Sequence, residues 1–306
     1  MERPLLALVG PTASGKTAAA TLIAERLDAE IVSVDSMSVY TGMDVGTAKP
    51  TAAERSRVRH HLLDVASPDE EFSVAAYQAL AREAVAGIEA RGRTAVLVGG
   101  TGLYFRAVVD GLSFPGTDRP TRRALEEEAE RIGSDALYLR LQELDPAAAT
   151  RIEPSNVRRT VRALEVAAVT GRPFSTYAVA WDRYPAGGLR AAGVRVDPGV
   201  LRERIERRVR AQFDHGLLEE AAALRRRGFG PSLTARQAIG YAEAIEHLEG
   251  AMTLEDAVTR TVKRTRALAR RQLAWFRRDP RIRWFDAGSD GALSIVDELT
   301  EYLRHG

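Results

Sequence analysis

The chain has 306 residues, 45% hydrophobic and 28% charged, with a net charge of +2 and no cysteine. This balance supports a full core in one large or two unequal domains and excludes a disordered chain. The missing cysteine excludes disulfides, thiolate nucleophiles and cysteine-bound zinc, and five histidines without metal spacing leave no protein-built transition-metal site. No apolar run approaches the roughly 18 residues that span a bilayer, and the N-terminus lacks a signal pattern, so a cytoplasmic protein without membrane association is expected.

An apolar run over residues 5–9 predicts a buried strand, and G-P-T-A-S-G-K-T, Gly10 to Thr17, follows it at once. Glycines at both ends let successive N–H groups turn inward on phosphate oxygens, with the positive end of a helix over residues 16–27 behind them. Lys16 adds a compact charge in a chain with only three lysines, and Thr17 offers a hydroxyl to Mg²⁺. The loop alone leaves nucleotide kinases, NTPases and diphosphate-using transferases open.

A second strand over 31–34 ends at Asp35, a carboxylate placed to act as general base, hold Mg²⁺ or cap a helix. Ser36 and Ser38 share its loop. Residues 42–50, G-M-D-V-G-T-A-K-P, are rich in backbone-permissive residues, and a third strand is expected over 61–65. His60 and His61 point to opposite sides of that strand, so only one can face a crevice. A helix over 73–90 leads to a fourth strand over 94–98, which ends in Gly99-Gly100-Thr101-Gly102 where an NTPase would normally carry an aspartate. The four strand ends face one crevice of an open parallel sheet, the place where such sheets bind ligands.

The pattern changes near Leu112. Helices over 122–131, 134–144 and 156–170, punctuated by prolines, predict an inserted helical subdomain over 113–190. Residues 191–196 return to the sheet, and helices over 199–213, 216–227, 236–247 and 253–278 follow. Residues 201–283 hold 19 Arg and Lys against 11 Asp and Glu. Such asymmetry suits a polyanion-binding face, and a solvated arginine-rich helix gives the same count. The expected fold is α/β, a P-loop NTPase-like parallel sheet core over 1–112 and 191–306 with the helical insertion between.

Taken together, G-P-T-A-S-G-K-T, D-S-M-S-V-Y, G-M-D-V-G-T-A-K-P, H-H-L-L-D-V, G-G-T-G-L-Y, N-V-R-R-T-V-R-A-L-E-V, Q-A-I-G-Y and T-R-A-L-A-R-R-Q-L-A-W-F resemble the tRNA dimethylallyltransferase family in order and spacing. The resemblance implies transfer of a dimethylallyl group from its diphosphate to N6 of the adenosine 3′ of the anticodon, with Mg²⁺ assisting, by a cytoplasmic monomer. It implies that Gly10, Pro11, Thr12, Ala13, Ser14, Gly15, Lys16 and Thr17 hold the diphosphate, with Thr17 on the metal and Arg236 gripping from across the crevice. Asp35 would be the general base and Thr101 would position the base. Ser36, Met37 and Ser38 would contact tRNA near the target adenine, and Arg123, Arg158, Arg159 and Arg162 would hold the anticodon stem-loop. Ser38 stands where the family commonly has glutamine, and Arg59 where it has proline; Arg158 replaces a common glutamine. The other readings are a P-loop kinase of a small metabolite, an adenylate isopentenyltransferase acting on free nucleotide, and a non-catalytic RNA-binding protein.

Overall fold

A computed structural model describes residues 4–177, 183–227 and 238–306. Six strands, β1 Leu5–Val9, β2 Ala29–Val34, β3 His60–His61, β4 Thr94–Gly99, β5 Leu189–Val196 and β6 Ile282–Ala287, pair in the order β3-β2-β4-β1-β5-β6. Every pairing is parallel. The central strands read as unbroken apolar runs because both sheet faces are covered. Alternation divides them: Ala7, Val9 and Leu97 enter one core, Leu6, Leu8, Val96 and Val98 the other.

Helix α1, Lys16–Arg26, begins at Gly15 in a left-handed conformation (φ 83°) and packs Ala20 and Ile23 under the second face. Short α2, Ala52–Arg57, is closed by a Thr51–Glu54 capping box. Helix α3, Val74–Ala90, is capped by Ser73, and α4, Gly102–Val109, starts one turn after β4. After β5 come α9 Pro198–Asp214, α10 Leu217–Arg226, α11 Tyr241–Leu248 and α12 Leu254–Phe276, whose apolar stripes cover the first face. Strand β6 and a last helix, α13 Val296–His305, complete this unit, Met1–Val109 with Ala186–Gly306.

The second compact unit is Asp110–Pro185. Its helices α5 Arg119–Ile132, α6 Ser134–Leu144, α7 Pro146–Ala149 and α8 Val157–Thr170 share a small core that includes Leu125, Leu137, Leu141, Val161 and Leu164. The side chains of Asp118, Asp145 and Asn156 cap three of them.

Three expectations need correction. The third strand is only two residues long, because Leu62 (φ 63°) and Asp64 (φ 57°) turn the backbone away from extension. Strand β6 and helix α13 add elements that the pattern did not predict. The helix expected over 236–247 is described only as Tyr241–Leu248, and its first residues lie outside the described ones.

Candidate active site

The loop after β1 is built as a cradle and braced from three directions. A Cβ on Gly10 would come within 2.8 Å of the Val194 carbonyl oxygen, so only glycine lets β1 turn there beside β5. Ala13 adopts φ 62°, an uncommon choice for a non-glycine residue. From the C-terminal segment, the Ala292 N–H donates to the Ser14 carbonyl at 2.8 Å. From α9, Arg204 Nε donates to the Ala13 carbonyl at 2.8 Å, and its Nη1 to Ser289 O at 2.8 Å. From α12, the buried Gln272 accepts the Thr12 N–H on Oε1 at 2.8 Å.

Lys16 is buried within this cradle. Its Nζ donates to Pro11 O at 2.5 Å and to Ser14 Oγ at 3.3 Å. Burial, reinforced by the neighbouring Arg208 charge and opposed by Asp35, lowers its pKa from the ordinary lysine value to about 7. Arg208 reaches from α9 to Thr12 Oγ1 and Thr47 O, both at 3.4 Å. Two guanidiniums of one helix thus stand at the loop, and together with Lys16 they suit an anion.

Asp35 follows β2 and caps a tight turn rather than a helix. Its Oδ1 accepts the N–H of Met37 at 2.8 Å and of Ser38 at 3.3 Å. Among the described residues none pairs with Oδ2. Thr101 Oγ1 accepts the Ser36 N–H at 3.1 Å and lies 3.5 Å from Ser36 Oγ, which fastens the strand tips together. A Cβ on Gly99 would overlap the Val34 carbonyl, and this absence of side chain is what lets β4 close on β2 at the crevice. Ser38 is buried, its hydroxyl 2.9 Å from Ser33 Oγ. Met37 is half-buried.

One cavity of about 460 Å³ joins these groups, lined among others by Ser14, Lys16, Thr17, Asp35, Ser38, Gly100, Arg204, Arg208 and Gln272. His60 also lines it while His61 turns to the buried Glu30, with Nε2 2.6 Å from the carboxylate, as alternation requires. Lys49 is buried against Tyr40 O, Asp44 and Asp64, a structural use of the second lysine. Arg236 lies outside the described residues. The arginines that do reach the loop, Arg204 and Arg208, and Gln272 were not singled out in the sequence; a basic run on an amphipathic helix resembles a solvated face.

In the second unit, Arg158 and Arg159 are exposed at the start of α8, and Arg123 is exposed in a pair with Glu127 at 3.0 Å. Arg162 differs. It donates to Pro115 O at 2.7 Å, Gly116 O at 3.1 Å and the buried Glu165 at 2.8 Å. Burial works to raise the Glu165 pKa, but Arg162, the Asp118 N–H and Arg122 outweigh it and hold the carboxyl below its usual range.

The sequence model of IPP transferases matches residues 38–279. The chain belongs to the IPP transferase family. Across the family it is 48% identical over 289 residues to the tRNA dimethylallyltransferase of Desulforudis audaxviator, covering 94% of this chain and 93% of that one. With the tRNA dimethylallyltransferase of Anaeromyxobacter dehalogenans (strain 2CP-C) it shares 50% identity over 284 residues, 92% of this chain and 94% of its relative. The crystal structure of the full-length tRNA isopentenylpyrophosphate transferase of Bacillus halodurans superposes with a TM-score of 0.70 at 40% identity, over 99% and 97% of the two chains. A eukaryotic dimethylallyltransferase acting on tRNA gives 0.76 at 25% identity, over 94% of this chain and 74% of that one. The match thus extends over nearly the full length of this chain and of its bacterial relatives.

Proposed function

We propose that this enzyme transfers a dimethylallyl group from dimethylallyl diphosphate to N6 of the adenosine 3′ of the anticodon in tRNAs that read codons starting with U. The observation that carries this reading is the meeting, in one cavity, of a phosphate cradle with Lys16 and Arg208 and of Asp35, whose Oδ2 has no partner among the described residues. Family membership over most of the chain supplies the reaction class.

In the reaction, the C1–O bond of the allylic diphosphate breaks and the electron pair leaves with pyrophosphate. Lys16, Arg208 and the loop N–H groups neutralise the charge that develops there, the main electrostatic contribution in such a reaction. The N6 lone pair forms the C–N bond, and Asp35 Oδ2 accepts the N6 proton. Met37 and Ser38 hold Oδ1, so the carboxylate is oriented before substrate arrives. Thr101 and Ser36 form the wall beside it. Because N6 is stacked within an anticodon loop, the base must be extruded to reach Asp35.

A divalent ion fits the residues present. Thr17 is exposed at the head of α1, and among the described residues no group of three His, Asp or Glu could hold a metal, so the Thr17 hydroxyl would hold the ion together with diphosphate and water oxygens, a donor set that suits Mg²⁺. When bound, Mg²⁺ would neutralise charge on the departing diphosphate.

Incubation with labelled dimethylallyl diphosphate and unmodified tRNA, followed by nuclease digestion, tests the assignment. Label on N6 of adenosine is expected. Phosphate transfer from ATP to a small acceptor, with no label on RNA, would establish the kinase reading in its place.

A further inference from the structure

The side-chain amide of Gln272 has a donor end without a partner among the described residues. An amide carries one acceptor and one donor terminus, and hydrogen bonding determines which way it faces. Here the Thr12 N–H donates to Oε1 at 2.8 Å, so the NH₂ group must face the opposite way. On that side lies Gly100. A Cβ at position 100 would overlap Gln272 Nε2 and stand 3.0 Å from its Cδ and 3.2 Å from Gly10 O. The end of β4 is therefore bare because this amide fills the gap between cradle and strand tip.

Gln272 is only 8% exposed, and it lines the cavity with Lys16, Arg208 and Asp35. Among the described residues none accepts a hydrogen bond from Nε2. Nε2 is not shut off from the cavity that Lys16 and Arg208 also line, and an anionic oxygen bound there can accept its hydrogen bond. The amide also takes the Thr12 N–H away from the cradle's inward-facing donors. Its own N–H groups stand in for it at the same end of the loop.

We infer that Gln272 is a substrate-contacting residue, donating from Nε2 to an oxygen of the diphosphate held by Gly10 to Thr17. This rests on the diphosphate reading above. The competing role is a mere tie between α12 and the loop, for which Oε1 alone suffices.

Gln272→Glu separates the two, because it keeps an acceptor for Thr12 N–H and replaces the donor end by a second anionic oxygen. Titration of the full-length protein with inorganic pyrophosphate and Mg²⁺, followed calorimetrically, should show affinity reduced about tenfold or more, since hydrogen bonds to charged groups are the strong ones. The KM for dimethylallyl diphosphate should rise in step while the Tm stays near that of the wild type. Wild-type pyrophosphate affinity in this variant would overturn the inference alone. If Gln272→Glu does not fold, Gln272→Met decides: a folded Met variant with unchanged pyrophosphate affinity sinks the proposal, as does one whose affinity falls only in step with a lowered Tm, and weakened affinity at an unchanged Tm supports it. Failure of the wild type to bind pyrophosphate would remove the diphosphate reading and this inference together.

Discussion

Lys16 couples the site to pH. With its folded pKa lowered to about 7 and the unfolded value near the ordinary lysine 10.5, the ligand-free protein binds fewer protons than the unfolded chain between those limits. Stability should thus rise with pH across that window, by about 1.4 kcal/mol per unit at most, and the penalty is complete below 7. Pyrophosphate reverses the sign, because an anion in the cradle favours charged Lys16 and its binding takes up a proton. Affinity for pyrophosphate should be insensitive to Lys16 below pH 7 and fall by up to about tenfold per unit above it. Calorimetry in buffers of different ionisation enthalpy reads the proton directly, and equal heats at pH 8.5 would contradict the argument. Asp35→Asn supplies the companion result. It keeps Oδ1 for the Met37 and Ser38 N–H groups and removes the base, so turnover should drop by at least about 100-fold with pyrophosphate affinity retained. Near-wild-type turnover would show that another group accepts the N6 proton.

The loop over residues 44–49 lines the same cavity through Thr47, Ala48 and Lys49 and is held by one acid. Glu220 on α10 accepts the N–H of Asp44 at 2.8 Å, of Val45 at 3.0 Å and of Gly46 at 3.3 Å, and it holds the Tyr241 hydroxyl. Gln212 on α9 donates to Val45 O at 2.7 Å. A Cβ on Gly46 would overlap the Tyr241 ring, so the loop lies flat on α11. Glu220→Ala leaves three backbone donors and a phenol without their acceptor, which should cost about 2–3 kcal/mol and lower the Tm by roughly 3–5 °C. An unchanged melting temperature would mean that water replaces the carboxylate without cost. The same loop marks where the sequence could be read and where it could not. The glycine pattern and Lys49 announced a structured segment, yet Glu220 is some 175 positions away and reads as a surface acid. The cradle, Asp35 and Thr101 were legible because each is a local motif at a strand end. Arg208, Gln272 and the Ser289 to Ala292 brace were not, since only the sheet order brings them to β1. Strand three was overestimated because Asp64 leaves the sheet to bind Lys49 and Arg55, a tertiary ion pair that overrides local β preference.

At the scale of the whole molecule, charge separates two tasks that the sequence mixed together. Arginine on α8 is used in two ways. Arg162 is tied to Pro115, Gly116 and Glu165 within the second unit, whereas Arg158 and Arg159 are exposed with no side-chain partner among the described residues. In the first unit, Lys263, Arg270, Arg271, Arg277 and Arg278 are exposed on or just after α12, spaced to form one stripe. Guanidiniums without carboxylate partners attract phosphates, and each phosphate contact adds close to one to the salt dependence of binding. Removing Arg158 and Arg159 together by alanine should therefore weaken tRNA binding and reduce the slope of log affinity against log salt by about two, with pyrophosphate affinity untouched. Arg162→Ala should instead act on stability, because it leaves the buried Glu165 with one guanidinium fewer. Filter binding of tRNA from 50 to 300 mM salt, run beside thermal melts of both variants, distinguishes the roles. An unchanged slope for the double variant would assign the anticodon stem-loop to the α12 stripe, and a weakened tRNA affinity in a fully stable Arg162→Ala protein would show that this arginine leaves Glu165 to bind RNA.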